Sequence, residues 1–350
     1  MNPRAAARRT TLAQVAARAG VSVMTASYTY NQPGRVSAEA RAKVLAAAAE
    51  LGYGGPDPSA RSLRHGSTRT LGVVLGEHLS YAFEDPQAVS FLAGVAEVCA
   101  ERGYGMTILP VTGAADDGER VRTAAVDGYV VWTTADDDPV LAAVRAMRRP
   151  AVVHGGPAVE GLGLVGIDNR AAARAVGALA FHGARRPAVL SFPLSRERAT
   201  MVAAGADLPD ALFPVTRDRL AGYRQAASDA GIGWDEVTVA VCARNAAAEA
   251  EAVAAGLLAS PRPPDAVAAM SDEQAAGVLR ALDAAGLSAP ADVAVTGWDD
   301  AAVARELGLT TVAQSLRSQG AACARAALGG KAPGRVAEWS VVRRGSTRPD

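Results

Sequence analysis

The rhythm of apolar positions along the chain changes near residue 70. Before it, Leu12, Val15, Ala16 and Ala19 recur at helical spacing, the stripe of an amphipathic helix. Thr11 and Gln14 form a capping-box pattern at its start, and Gly20 suits a left-handed close at its end. Ser22 is a natural N-cap for a second helix from Val23. A third fits 37–51, with Ser37 as cap, Glu39 in the first turn and Gly52 just beyond. Small Ala16 falls where the first two helices must approach, and Val21 enters the crevice between them. Helix, three-residue turn, helix is the helix-turn-helix grammar, although a plain three-helix bundle shares it.

After residue 70 the pattern alternates. Strand-like apolar runs cover 71–76, 106–111, 128–132, 151–154, 164–167, 188–192, 237–242, 266–270 and 293–296. Helical segments lie between most of them, at 87–102, 139–147, 170–182, 218–230, 246–258 and 273–285. Strands alternating with helices indicate parallel α/β architecture. The units are too many for one sheet of ordinary size, so two lobes are expected.

Charge sharpens this division. The chain of 350 residues has 36 basic and 36 acidic side chains. Residues 1–69 hold ten Arg or Lys against three Asp or Glu, so the acidic excess lies in the rest. A basic head on an acidic body suggests a polyanion-binding module joined to a domain with another task. The excess turns the bundle reading toward DNA, because cations near phosphates release counterions. No run of about 18 apolar residues predicts a membrane span. Arg4, Arg8 and Arg9 are not followed by the apolar stretch of a signal peptide, which leads to the expectation of a cytoplasmic protein. Cys99, Cys242 and Cys323 form no C-x-x-C pair, so neither a disulfide framework nor a zinc site is signalled.

The head resembles the DNA-binding domain of the LacI/GalR family of bacterial regulators. The residues that carry the likeness are the run from Thr11 to Ser22, then Thr25, Ala26, Ser27, Asn31, Val36, Ser37, Arg41, Val44, Leu51, Gly52 and Tyr53. It continues through Pro58, Ser59, Ala60, Arg61, Ser62, Leu63 and Arg64, which resemble that family's hinge helix; Asp57 and Pro58 are also a good N-cap and N1 pair. The resemblance implies a homodimer on a near-palindromic operator. Thr11, Ser22, Val23, Met24, Thr25, Ser27, Tyr28, Asn31, Ala60, Arg61 and Leu63 would face DNA, with Leu63 wedged into a minor-groove step. This chain has Tyr28 where an arginine is frequent, and Tyr28 cannot grip guanine bidentately. Its operator therefore need not match the usual one.

The body shares landmarks with the family's effector domain: Val126-Asp127-Gly128, Asp168-Asn169, His182-Gly183, Arg219, Gly222-Tyr223, Ser271-Asp272, Gly297-Trp298-Asp299-Asp300 and Thr311 to Gln314. That domain is similar to periplasmic sugar-binding proteins, with two Rossmann-like lobes of parallel sheet and the ligand between them. The resemblance implies a small all-α head (1–54), a hinge or linker (55–69) and a two-lobed effector-binding and dimerisation domain (70–350). Ligands of open α/β folds bind at strand carboxyl ends, and the effector contacts implied are Asp85, Gln87, Asp168, Arg219, Ser271, Trp298, Asp299 and Gln314. Arg219 is expected to open a helix and clamp the ligand. Ser271 stands where the family usually has an amide. Trp132 and Trp298 are candidates to stack on a sugar face, and His78 and His154 to reach the cleft. A sugar-like polyol is the expected effector, ahead of a nucleoside.

Two motifs point toward enzymes. Gly161, Gly163 and Gly166 spell G-x-G-x-x-G, but a dinucleotide fingerprint needs a strand before it and a helix after it, whereas these glycines run into a strand. His154-Gly155-Gly156-Pro157 is similar to a lipase oxyanion turn, yet no G-x-S-x-G elbow accompanies it. The histidines lack metal-ligand spacing. No catalytic residue, metal or cofactor is assigned. The reading is a transcriptional regulator, expected to be a repressor; an activator or corepressor-dependent regulator is the alternative within the family, and a cytoplasmic NAD(P)-dependent oxidoreductase the alternative outside it.

Overall fold

The computed structural model describes residues 10–55, 66–76, 80–111, 113, 114, 116–330 and 337–349. Ala60, Arg61 and Leu63 of the expected hinge, and His78, lie outside them. The chain divides into two compact units, Met1–Thr68 and Arg69–Asp350.

The first unit contains α1 (Leu12–Ala19), α2 (Val23–Asn31) and α3 (Ala38–Glu50). Thr11 and Gln14 close the capping box, and Gly20 ends α1 at φ 68°. The Ser22 and Ser37 side chains accept from the Thr25 and Ala40 amides. Val15, Ala16, Ala26, Val44, Ala47 and Ala48 form the core, with Val21 packed against it. Four of these six are alanines. An Ala methyl adds little apolar area, at about 25 cal/mol per Å2, so the helices stay close and the core stays thin. Tyr30 and Tyr53 add an edge-to-face ring contact at 6.0 Å.

The second unit is built on two sheets. The first has the order β2-β1-β3-β4-β5, from β1 (Thr70–Leu75), β2 (Gly105–Pro110), β3 (Gly128–Trp132), β4 (Ala151–His154) and β5 (Gly163–Val165). All its pairs are parallel. Its helices are α4 (Tyr81–Glu84), α5 (Pro86–Arg102), α6 (Asp117–Thr123) and α7 (Pro139–Ala146). Buried clusters cover both faces, which is why β1 and β3 read as unbroken apolar runs.

Six more strands and five helices build the second lobe: α8 (Asn169–Phe181), β6 (Pro187–Ser191), β7 (Met201–Ala204), α9 (Pro214–Asp229), β8 (Thr238–Val241), α10 (Ala247–Leu258), β9 (Ala266–Ala269), α11 (Asp272–Ala284), β10 (Ala294–Asp299), α12 (Ala302–Glu306) and β11 (Thr310–Ala313), followed by α13 (Leu316–Ala327) and β12 (Ser340–Val342). The sheet order is β12-β11-β10-β9-β6-β8-β7. Its interior is parallel, and β7 and β12 are antiparallel edges.

Helix α13 leaves this lobe and returns to the first, where its Leu316, Cys323 and Ala327 join the core of β1, β3 and α5. Glycines let it do so. A Cβ on Gly94 of α5 would overlap the Arg317 carbonyl, and one on Gly320 would overlap that of Phe91. The same device joins α8 to α9 at Gly222 and α10 to α11 at Gly277.

The sequence pattern did not reveal β7, β11, β12, α4, α6, α12 or α13; β11 opens on Thr310 and Thr311 and so lacks an apolar run. The edge strands are short and antiparallel, with Val202 of β7 facing solvent, and so lack the apolar run of a central strand. The glycine motif at 161–166 runs into β5, and the next helix, α8, is capped by the Asp168 side chain. No helix opens from these glycines, so they lack the context of a dinucleotide site.

Candidate functional site

The carboxyl ends of strands from both sheets converge on one cleft in the second unit. It is lined by Asp85, Gln87, Trp132, His154, Asn169, Phe192, Phe213, Thr216, Arg219, Asn245, Asp299, Gln314 and Gln319, among others. Aromatic walls from Trp132, Phe192 and Phe213 with polar groups converging between them suit a small-molecule site.

Arg219 is 5 % exposed. Helix α9 begins at Pro214 rather than near residue 218, so Arg219 sits in its second turn and does not open it. Pro214 at N1 pre-sets the helical φ, but Phe213 before it offers no side-chain cap, which hid the start from the sequence. The Arg219 Nε donates to Asn169 Oδ1 at 2.9 Å and a terminal nitrogen to the Met270 carbonyl. Its guanidinium lies 3.7 Å from the Trp298 ring centroid, a cation–π contact strengthened by desolvation. Trp298 is fully buried and serves as the platform under Arg219; it does not line the cleft.

Asp299 ends β10 with φ 107°, a strained conformation for a side-chain-bearing residue and one found at functional sites. Its Oδ1 accepts from Gln314 Nε2 at 2.7 Å. Burial pushes its pKa well above the usual carboxylate value, opposed by Arg219 and by the Gln314 bond and reinforced by Asp272. Gln314 accepts in turn from Gln319 Nε2 at 3.0 Å, and Gln319 Oε1 lies 3.0 Å from His154 Nε2. A continuous side-chain relay thus runs from β10 of one lobe to β4 of the other.

Asp85 caps α5 through Oδ1, accepting from the Gln87 and Ala88 amides. Its Oδ2 accepts from Asn245 Nδ2 at 2.6 Å, and Asn245 Oδ1 accepts from Ser271 Oγ. Ser271 caps α11 and is buried; it reaches the cleft only through Asn245, which supplies the amide. Asp168 is exposed at the cap of α8, and its neighbour Asn169 lines the cleft instead. Five of the eight expected cleft residues therefore do line it: Asp85, Gln87, Arg219, Asp299 and Gln314. Trp132 and His154 line it too. Ion pairs Arg217–Asp136 and Arg196–Asp137 bridge the lobes.

Asn169, Thr216, Asn245 and Gln319 were not expected as effector contacts, although Asn169 was a sequence landmark. It is one position from Asp168, which was expected as one. Asn245 lies in a loop without apolar rhythm, and Gln319 on a helix the pattern had not shown.

In the first unit, α2 turns Ala26 and Thr29 inward, and Val23 and Met24 stand 51 % and 63 % exposed. Ser27 and Asn31 join on this outer face, with Asn31 Nδ2 donating to Ser27 Oγ at 3.3 Å. The Arg35 guanidinium sits 5.9 Å from the Tyr28 ring. Exposed apolar side chains on a polar helix face suit contact with thymine methyls. Thr11 and Ser22 are engaged as caps at the helix starts, where phosphates are commonly met.

Residues 11–55 match the profile of bacterial regulatory proteins of the lacI family, and 176–347 that of a periplasmic binding protein-like domain. An HTH-type transcriptional regulator of Mycobacterium tuberculosis is 39 % identical over 313 residues, covering 88 % of this chain and 87 % of its own. The chain belongs to the LacI family. This LacI-family protein is a helix-turn-helix transcriptional regulator with a two-lobed effector domain. A Corynebacterium glutamicum LacI-family regulator of known structure is 33 % identical, with a TM-score of 0.72 over 96 % of this chain and 98 % of that one. The regulator CelR, solved with cellobiose, is 29 % identical, with a TM-score of 0.65 over 97 % and 100 %.

Proposed function

We propose that this regulator acts in the cytoplasm as a homodimeric repressor, without catalysis, and that a neutral sugar-like effector in the two-lobed cleft sets its affinity for a near-palindromic operator. The observation that carries this reading is the joining of two units in one chain. One presents an exposed recognition face on α2, and the other converges strand ends from two lobes on a polar cleft. The relative solved with cellobiose supports a sugar-like effector. Among the described residues no helix is long and apolar enough to cross a membrane.

In this reading Val23, Met24, Thr25, Ser27, Tyr28 and Asn31 meet base edges, and Ala60, Arg61 and Leu63 the minor groove. Protein two-fold symmetry maps onto operator symmetry. The effector acts through its differential affinity for two states, with a coupling of about 1–3 kcal/mol. The test is selection of bound sequences from a random duplex library by the purified protein. Enrichment of a palindrome with a deformable central step is expected. No enrichment at low salt, with or without a pooled sugar mixture, would overturn the assignment. Leu63→Ala should lose specific binding and keep its fold; an unchanged operator Kd would refute the wedge.

A further inference from the structure

His154 ends β4, lines the cleft and is 6 % exposed. Phe91 and Trp132 pack against the ring, at 4.7 Å and 5.3 Å between centroids and 4.3 Å from each other. Its Nε2 faces Gln319 Oε1 at 3.0 Å. An amide oxygen only accepts, so the proton of the neutral ring is on Nε2 and Nδ1 carries a bare lone pair.

The relay fixes that direction. Gln319 Nε2 is turned to Gln314 Oε1, and Gln314 Nε2 to Asp299 Oδ1. Flipping either amide would set oxygen against oxygen or nitrogen against nitrogen along the chain. With Asp299 ionised, the arrangement holds His154 in one tautomer from a carboxylate in the other lobe; protonation of Asp299, which burial favours, would allow both amides to reverse. Nδ1 is buried and has no hydrogen-bond partner among the described residues. A buried acceptor left unpaired is costly, and buried polar groups usually have partners.

We propose, resting on the effector reading above, that His154 is a specificity-determining residue whose Nδ1 accepts a hydrogen bond from a hydroxyl of a neutral, hydroxyl-rich effector. Asp299, at the other end of the relay, is a second acceptor in the same cleft. The Nε and one terminal nitrogen of Arg219 donate to Asn169 and the Met270 carbonyl, and its guanidinium faces Trp298. His154 Nδ1 and Asp299 thus ask the ligand for donors at two points, which selects against a deoxy analogue and against an anionic group placed beside Asp299. Burial, aided by Arg219, keeps the imidazole neutral by lowering its pKa to about 4. Gln319 is a positioning residue that acts through His154.

The test uses the full chain and a panel of neutral hexoses, pentoses, disaccharides and linear polyols, with the matching sugar phosphates and uronic acids. Binding is read by calorimetry. A neutral member should bind, and His154→Phe should weaken it about tenfold or more. The deoxy analogue lacking the hydroxyl in question should lose a similar factor against the wild type and nothing further against the variant. His154→Gln serves as a second variant if the Phe form does not fold. In [15N]histidine spectra, the His154 signal, assigned by its loss in the variant, should show the Nε2–H tautomer. Its Nδ1 resonance should move on ligand addition, and Gln319→Leu should disturb the tautomer. Unchanged affinity in folded His154 variants, or preference for the anionic compounds, would overturn the proposal. If no panel member binds a protein that still binds its selected operator, the sugar-effector reading itself fails, and this proposal with it.

Discussion

Arg219 shows how one side chain can be spent before any ligand arrives. Its charge rests on Trp298 and on two acceptors from separate elements, which fixes the guanidinium within the cleft wall. Arg219→Ala would leave Asn169 Oδ1 and the Met270 carbonyl without this partner, at about 1–3 kcal/mol for an unpaired buried group. The expected outcome is intact operator binding with the effector response lost; an unchanged dose curve would refute the assignment. His154 makes a second residue-scale prediction. Its folded pKa of about 4 lies below the ordinary 6.5, so the unfolded chain takes up the proton first as pH falls. Stability from this group is full above pH 6.5, declines toward pH 4 and then levels off, by about 3 kcal/mol in all. Asp272, raised to about 6 by burial, and Asp299 act in the opposite sense, because the folded chain protonates them more readily. Arg219 is the charged neighbour that acts on the ring directly. Urea denaturation of the wild type and His154→Phe across pH 4–7 isolates the histidine contribution. The stability difference should shift in favour of the variant as pH falls, and a pH-independent difference would exclude it.

Among the elements, α13 has the most demanding placement. It starts beside the cleft, carries Gln319 into the relay, and then crosses onto the first sheet. The approach to α5 is so close that Gly94 and Gly320 meet backbone carbonyls of the opposite helix. Exposed Glu97 and Arg317 pair across the same contact, which adds little, as surface pairs do. Gly94→Ala should cost about 1–3 kcal/mol despite the better helix propensity of alanine, because overpacking forces the helices apart. Thermal denaturation checks the sign. A stabilised variant would mean that the helices separate without strain.

At the scale of the whole effector domain, the two lobes are joined across the cleft by links of different kinds. In the Asp85–Asn245 link the carboxylate is buried and the amide half-buried. Arg217–Asp136 is about half exposed on both sides. Salt screens the exposed pair, since the Debye length shrinks from about 10 Å at 0.1 M to 3 Å at 1 M, but it reaches the buried link less. Asn245→Ala is therefore expected to widen the cleft more than Arg217→Ala. Distances between spin labels on the two lobes would read this, and equal widening in both variants would show that the links act alike.

The sequence by itself determined the local features. Thr11, Ser22 and Ser37 cap the helices they were expected to cap, and Gly20 takes the left-handed conformation, because caps and turns depend on residues within four positions of each other. Most buried parallel strands were legible for a related reason, since cover on both faces favours apolar residues throughout; β11, which opens on buried Thr310 and Thr311, was not. Tertiary structure alone decided the rest. Trp298 and Asp299 are adjacent in sequence, yet one lies under Arg219 and the other at the end of the relay. Asn245 meets Asp85 across 160 positions, and Gln319 meets His154 across 165. Neither pairing leaves a periodic trace, because a hydrogen bond between lobes constrains two single residues and not a pattern. The order of elements could thus foretell two lobes, and the family resemblance a cleft between them. Which polar atoms face one another in it was settled only when α13 crossed back.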